Sequence, residues 1–162
     1  MIVVVMGVSG CGKSTVARAL ADARGWRFFD ADDYHPAANV EKMSRGIPLD
    51  DRDRQPWLEA LRDLLAAQDA AGHSAVLACS ALKAAYRATL ASRVRAIRWV
   101  HLAGTYDEVR QLMSRRQGHF MKPGMLQSQF DALEAPADAL TLPVLLPVEE
   151  QVRRIRAALD PA

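Results

Sequence analysis

Asparagine occurs once in this chain of 162 residues, at Asn39, and lysine only four times, at positions 13, 42, 83 and 122. Asn39 is followed by Val40, so the N-K-x-D element with which a guanine-specific switch reads its base is missing. Cysteine is scarce as well. Cys11 and Cys79 read as two ordinary reduced thiols rather than as a disulfide or a metal site. No apolar run approaches the roughly 20 residues a membrane helix requires, and Met1 leads straight into a strand-like segment without a basic region, which argues against a signal peptide. The expected location is cytoplasmic. The net charge is only +2, and no basic stripe is interleaved with aromatics, which speaks against nucleic acid or a membrane surface as partner. Internal repeats and low-complexity stretches are absent too. The 50% hydrophobic and 25% charged residues are those of one globular domain over 1–162, with chain enough for a core and a cleft.

What is present is concentrated near the start. Gly7-Val8-Ser9-Gly10-Cys11-Gly12-Lys13-Ser14 matches the phosphate-binding pattern G-x-x-x-x-G-K-[ST], follows the strand-like Ile2–Met6 and precedes the helix-compatible run Thr15–Leu20. Glycines let successive backbone N–H groups turn inward around phosphate oxygens, and an opening helix adds the positive end of its dipole. Lys13 is then placed to reach the β- and γ-phosphates of a nucleoside triphosphate, and the Ser14 hydroxyl to ligate Mg²⁺. Gly7, Val8, Ser9, Gly10, Cys11, Gly12, Lys13, Ser14 and Thr15 are the candidate nucleotide-binding residues.

Short apolar runs alternate with helical patterns along the chain. Ile2–Met6, Arg27–Phe29, Ala75–Cys79 and Ile97–Leu102 read as strands, with a weaker candidate at Ala139–Leu142. Such alternation predicts a parallel sheet covered by helices on both faces. Trp57, Leu58, Leu61, Leu64 and Leu65 recur at helical spacing after Asp50-Asp51, with Gly72 placed to end the helix, and Val148, Val152, Ile155 and Leu159 mark a last helix entered at Pro147. These stripes read as core. Two segments depart from the pattern: Asp30–Pro36, which emerges where ligands gather at the carboxyl ends of parallel strands, and 115–124, basic and bounded by Gly and Pro, with the composition of a mobile lid.

The constellation resembles the small gluconate kinases of the phosphate-loop class, related in architecture to shikimate and adenylate kinases. The resemblance covers nearly the whole chain. Beyond the loop it rests on Asp30–Pro36, Glu41-Lys42-Met43 with Gly46-Ile47-Pro48-Leu49, Asp53-Arg54 with Pro56-Trp57, Cys79-Ser80-Ala81-Leu82-Lys83 with Tyr86-Arg87, Gly118-His119-Phe120, and Ser128-Gln129-Phe130 with Leu133-Glu134. It implies an α/β, three-layer α/β/α P-loop kinase fold with a parallel sheet and a mobile lid. It also implies ATP-dependent, Mg²⁺-assisted phosphorylation of gluconate to 6-phosphogluconate, and a chain that forms a homodimer, as the family often does. Two positions depart from it: Leu112 and Ala91 stand where relatives often carry arginine. The alternatives are another small-molecule kinase of this architecture, acting on shikimate or a different polyol acid, and a non-catalytic nucleotide-binding switch.

Many phosphate-loop enzymes carry a carboxylate at the end of a later strand, yet Ala75–Ser80 ends without one. Asp30 and Asp32 are the nearest candidates, and their i, i+2 spacing in extended chain would point both side chains the same way. Asp32 is assigned to the acceptor hydroxyl and Asp30 to the metal's shell. The plainer alternative makes Asp30 or Asp33 a helix cap or turn residue. Arg54, Lys83 and Arg87 are the candidate cations for a sugar acid, and Lys83 and Arg87 fall i, i+4 on a helix that follows a strand end. On the residues alone those two read as solvated charges; the resemblance makes them candidates. His35 is a further candidate substrate contact, the alternative being a turn residue before Pro36. In the lid, Arg116 is the candidate for approaching ATP, stacking on adenine or neutralising charge during transfer, with His119 at the tip. Lys13, Asp32 and Arg116 form the expected catalytic set.

Overall fold

The computed structural model describes residues 1–115 and 123–160. Five strands, β1 (Ile2–Met6), β2 (Arg27–Asp30), β3 (Ala75–Ala78), β4 (Ile97–Ala103) and β5 (Leu140–Pro143), form one parallel sheet in the order β2-β3-β1-β4-β5. Central β1 pairs with β3 on one side and β4 on the other, with Val4 opposite both Leu77 and Trp99.

The period of two along β1 sorts its side chains into two cores. Val3 and Val5 join Val16, Leu20, Val109, Leu126 and Ile155 on one face, from α1 (Lys13–Arg24), α5 (Tyr106–Ser114), α6 (Pro123–Ala132) and α7 (Val148–Leu159). Ile2, Val4 and Met6 join Trp57, Leu61, Leu65 and Leu90 on the other, from α3 (Asp51–Ala70) and α4 (Ala84–Ala91). All five β1 residues are buried, so the strand reads as an unbroken apolar run. The three-layer α/β/α reading therefore holds. Leu112, one of the two departures from the resemblance, packs against the first core.

Boundaries differ by a residue or so. β2 runs on to Asp30, and β5 is shifted to end on Pro143, which an edge strand tolerates because one side of it has no ladder to supply with an N–H. α3 opens with a reciprocal capping box, in which Asp50 accepts from the Asp53 N–H and the Asp53 side chain from the Asp50 N–H. The short α2 (Ala37–Ser44) buries only Asn39 and leaves Val40 and Met43 exposed. The lid expected at 115–124 falls mostly outside the described residues: Arg115 caps α5, and Pro123 and Gly124 already belong to α6.

One local expectation is overturned. Asp30 and Asp32 do not share an extended strand, because the chain turns into a 3-10 turn at Ala31–Tyr34. Asp30 itself causes this: its Oδ1 accepts from the Asp32 N–H at 3.0 Å and caps the turn.

Candidate active site

The loop between β1 and α1 hangs from the middle of the sheet, where the neighbours of β1 diverge. Gly10 and Gly12 hold φ of 81° and 91°, a left-handed backbone that side chains rarely adopt. A Cβ at Gly10 would also collide with Met113 of α5. Gly12 is the N-cap of α1; no side chain caps the helix and its first turn carries no acid. Its leading N–H groups and positive dipole end are therefore suited to an anion. Among the described residues Lys13 Nζ reaches only the Val8 carbonyl, at 3.4 Å, which leaves an ammonium with three donors nearly unspent at the loop's mouth.

Ser14 donates its hydroxyl proton to Asp30 Oδ2 at 2.8 Å. The Ser14 oxygen thus keeps lone pairs for a cation, with the Asp30 carboxylate directly behind it. Asp30 both caps a turn and supports Ser14, so the two readings of it are not exclusive.

Within the turn, Asp32 stands 82% exposed at the side chain, 4.0 Å from Nε2 of a His35 whose side chain is only 5% exposed. Local structure determines which nitrogen of His35 carries the proton. The amide nitrogen of Asn39, itself 3% exposed, donates to the Asp53 carbonyl at 2.8 Å, so its second hydrogen faces His35 Nδ1 at 3.3 Å. Nδ1 is then the acceptor, and neutral His35 presents Nε2–H toward Asp32. Burial pushes the His35 pKa below its ordinary 6.5, opposed by the Asp32 charge and assisted by Arg54. The ring is locked by stacking on Trp57, centroids 4.3 Å apart and 12° between planes, and the Trp57 indole donates to the Ala31 carbonyl at 2.7 Å.

Arg54, on the first turns of α3, donates to the Tyr86 hydroxyl at 3.1 Å. Tyr86 donates in turn to Asp51, which Lys83 Nζ also approaches at 3.1 Å. The Tyr86 and Lys83 hydrogen bonds lower the Asp51 pKa, while burial, then the bond to Asp51, raises that of Tyr86. Across from this network, Lys42 closes on both Asp53 oxygens at 2.9 and 2.8 Å, tying α2 to the start of α3.

Of the expected residues, Ser9, Lys13, Asp32, His35 and Arg54 line one cleft, together with Trp57, Ser80 and Gln129. Lys83 and Arg87 do not line it. Lys83 is the N-cap of α4 and not within the helix, so the i, i+4 argument that paired it with Arg87 fails. Arg87 turns to backbone instead: its guanidinium donates to the carbonyls of Ala81 at 2.7 Å, Leu82 at 3.1 Å and Glu134 at 2.8 Å. It braces the loop after Ser80, where Ala81 sits at a left-handed φ of 44°. Arg116 and His119 lie outside the described residues. Trp57 was readable only as core; it is core and cleft wall at once. Gln129 belongs to a motif noted in the sequence, but nothing there signalled its partner, Ser9, 120 positions away.

Residues 2–120 match the family model described as an AAA domain. The gluconokinase of Gluconobacter oxydans (strain 621H) is 52% identical over 83% of this chain and 76% of its own length. The thermoresistant gluconokinase of Escherichia coli (strain K12) is 40% identical over 91% and 87%. Among solved structures, a gluconokinase from Sinorhizobium meliloti 1021 superposes with a TM-score of 0.90 at 42% identity, covering 97% of this chain and 90% of that one.

Proposed function

Because the chain belongs to the gluconokinase family, we propose that it transfers the γ-phosphoryl group of ATP to the terminal hydroxyl of D-gluconate, releasing ADP and 6-phospho-D-gluconate. The observation that carries this reading is the single cleft in which Ser9 and Lys13 of the phosphate loop face Asp32, His35 and Arg54. A donor that binds phosphate and a set of residues suited to a hydroxylated acid share one space.

The uncapped start of α1 and Lys13 hold the triphosphate, and Lys13 offsets charge on the γ-phosphoryl group as it moves. Ser14, backed by Asp30, is placed to hold Mg²⁺, which when bound would offset negative charge on the triphosphate. Among the described residues no group of three His, Cys, Asp or Glu could hold a metal; a Mg²⁺ bound through one protein oxygen, phosphates and water needs none. Asp32 accepts the proton of the acceptor hydroxyl, and His35 Nε2–H steadies the carboxylate or a neighbouring substrate hydroxyl. Arg54 receives the acid's negative charge, held in place by Tyr86, which Asp51 and Lys83 hold in turn. In the same reading Arg116 offsets charge on ATP, and His119 meets the acceptor from the lid. Arg87 is reassigned to bracing the cleft's rim.

The acceptor is a small molecule, and among the described residues no helix is long and apolar enough to cross a membrane. The deciding experiment is coupled ADP formation across gluconate, related sugar acids, shikimate and nucleoside monophosphates. Gluconate should raise ATP turnover far more than the rest; equal rates with every acceptor, or with none, overturn the assignment. Asp32→Asn should cripple transfer while leaving Mg²⁺-ATP affinity by calorimetry nearly unchanged, since the amide keeps the shape but cannot take the proton.

A further inference from the structure

Gln129 makes two hydrogen bonds to one residue of the phosphate loop. Its Oε1 accepts from the Ser9 backbone N–H at 2.6 Å, and its Nε2 donates to Ser9 Oγ at 2.8 Å. A backbone N–H only donates, so the amide oxygen must face it and the amide NH₂ must face the hydroxyl. Ser9 Oγ is therefore the acceptor in the second bond. A hydroxyl that accepts from one side has its own proton to give elsewhere, and Ser9 and Gln129 both line the cleft beside Lys13 and Asp32.

The mount is stiff. On α6, Leu126 is buried and the Phe130 ring meets Tyr106 of α5 at 5.9 Å. Just past the helix, the Glu134 N–H donates to the Leu82 carbonyl at 2.8 Å and Glu134 Oε1 accepts from the Ala84 N–H at 2.7 Å. One short helix is thus fastened to the phosphate loop at Gln129 and to the rim of the acceptor cleft at Glu134.

We propose that Gln129 is a positioning residue for phosphoryl transfer: it fixes the Ser9 peptide and turns the Ser9 hydroxyl proton toward the phosphoryl group as that group crosses from nucleotide to acceptor. This rests on the kinase reading above. Neither residue forms or breaks a covalent bond; the phosphorus–oxygen bond to ADP breaks, the bond to the acceptor oxygen forms, and the acceptor proton goes to Asp32. Ser9 donates a hydrogen bond to an oxygen of the travelling group, whose charge is spread over three such oxygens in the transition state. ADP lacks that group, so its affinity does not draw on Ser9 Oγ.

The test is a double-mutant cycle of Ser9→Ala and Gln129→Met, with Gln129→Glu beside it. Gluconate-dependent kcat, KM for ATP, Kd for Mg²⁺-ADP and thermal midpoints are measured on each. Gln129→Met should lower kcat by about 10- to 100-fold, the cost of one or two hydrogen bonds used in the transition state, with the ADP Kd unchanged. In the Ser9→Ala background the same substitution should cost several-fold less, because the hydroxyl it orients is gone. Gln129→Glu keeps an acceptor for the Ser9 N–H but draws the hydroxyl proton to itself, so it should lose at least as much kcat as Ser9→Ala. Equal losses in both backgrounds, an unchanged kcat, or a loss confined to KM for ATP and ADP affinity would overturn the proposal. If Gln129→Met melts out, Ser9→Ala with Gln129→Glu decides the matter, since neither empties a core position. Wild-type protein that turns over a different polyol acid would overturn the substrate reading alone, because the cycle run on that acceptor still reads Gln129.

Discussion

Replacing Asp30 by asparagine separates the two tasks that one carboxylate performs. Oδ1 caps the 3-10 turn through the Asp32 N–H, and Oδ2 takes the Ser14 proton at 2.8 Å. In Asp30→Asn the amide oxygen can keep the cap, and Asn serves as well as Asp at such a position, so the melting temperature should move little. The amide NH₂ then faces Ser14 Oγ. Ser14 must accept from it and turn its own proton outward, toward the place a cation would occupy, while the supporting negative charge disappears. A charge-assisted hydrogen bond of this kind contributes about 1.5–3 kcal/mol, which at about 1.4 kcal/mol per tenfold is about 10- to 150-fold in apparent Mg²⁺ affinity. The assay is steady-state turnover over a Mg²⁺ titration at fixed ATP and saturating gluconate, with thermal melts beside it. Half-saturating Mg²⁺ should rise within that range, and part of the lost rate should return at high Mg²⁺. An unchanged Mg²⁺ dependence, or a large fall in melting temperature, would refute the division of labour.

Lys13→Ala should abolish transfer and leave the fold intact, because among the described residues Lys13 makes only one long bond, to Val8; near-normal turnover would show the loop to be idle. Arg87→Met strips its donors from three backbone carbonyls at the cleft's rim, of which, among the described residues, Leu82 alone keeps another, the Glu134 N–H, and should cost about 2–4 kcal/mol of stability, read as a melting temperature lower by about 5–15 °C, whereas a change confined to KM for gluconate would restore it to the substrate site. Burial holds His35 and His101 below their ordinary 6.5, with Arg54 and Arg87 respectively adding to the effect and Asp32 opposing it at His35. The unfolded chain therefore binds protons the folded chain refuses: stability from these two is complete above 6.5 and falls as pH drops from there through their lowered values. Melts between pH 7.5 and about 5, above the range where carboxylates titrate, should show that loss, and a His35→Gln, His101→Gln protein should show a flatter profile over it.

The phosphate loop was legible because its determinants are contiguous: Gly10, Gly12, Lys13 and Ser14 state their geometry within eight residues. The central strands were legible for a related reason, since β1 is apolar at every position. Asp30 and Asp32 were found by type and misplaced in conformation, because a side chain bonding two residues onward overrides the extended backbone that precedes it. Arg87 and Gln129 were the opaque cases. Their partners, Glu134 and Ser9, lie 47 and 120 positions away, and no local pattern distinguishes an arginine that braces carbonyls from one that receives an anion. Trp57 was hidden by its own regularity, as a member of an apolar stripe that also lines the cleft.

The two jaws of the cleft are anchored unequally. β1, from which the phosphate loop hangs, is flanked by strands on both sides and buried along its whole length, while α2 on the acceptor side buries a single residue and is fastened at Asp53 by Lys42 and Asn39. In native-state hydrogen exchange the β1 amides should therefore be among the slowest, opening only with the whole domain, and those of α2 among the fastest. On the proposed assignment of the cleft, the enzyme can loosen its grip on the sugar side without disturbing the geometry that cradles the nucleotide, so release of a phosphorylated product need not wait on the sheet.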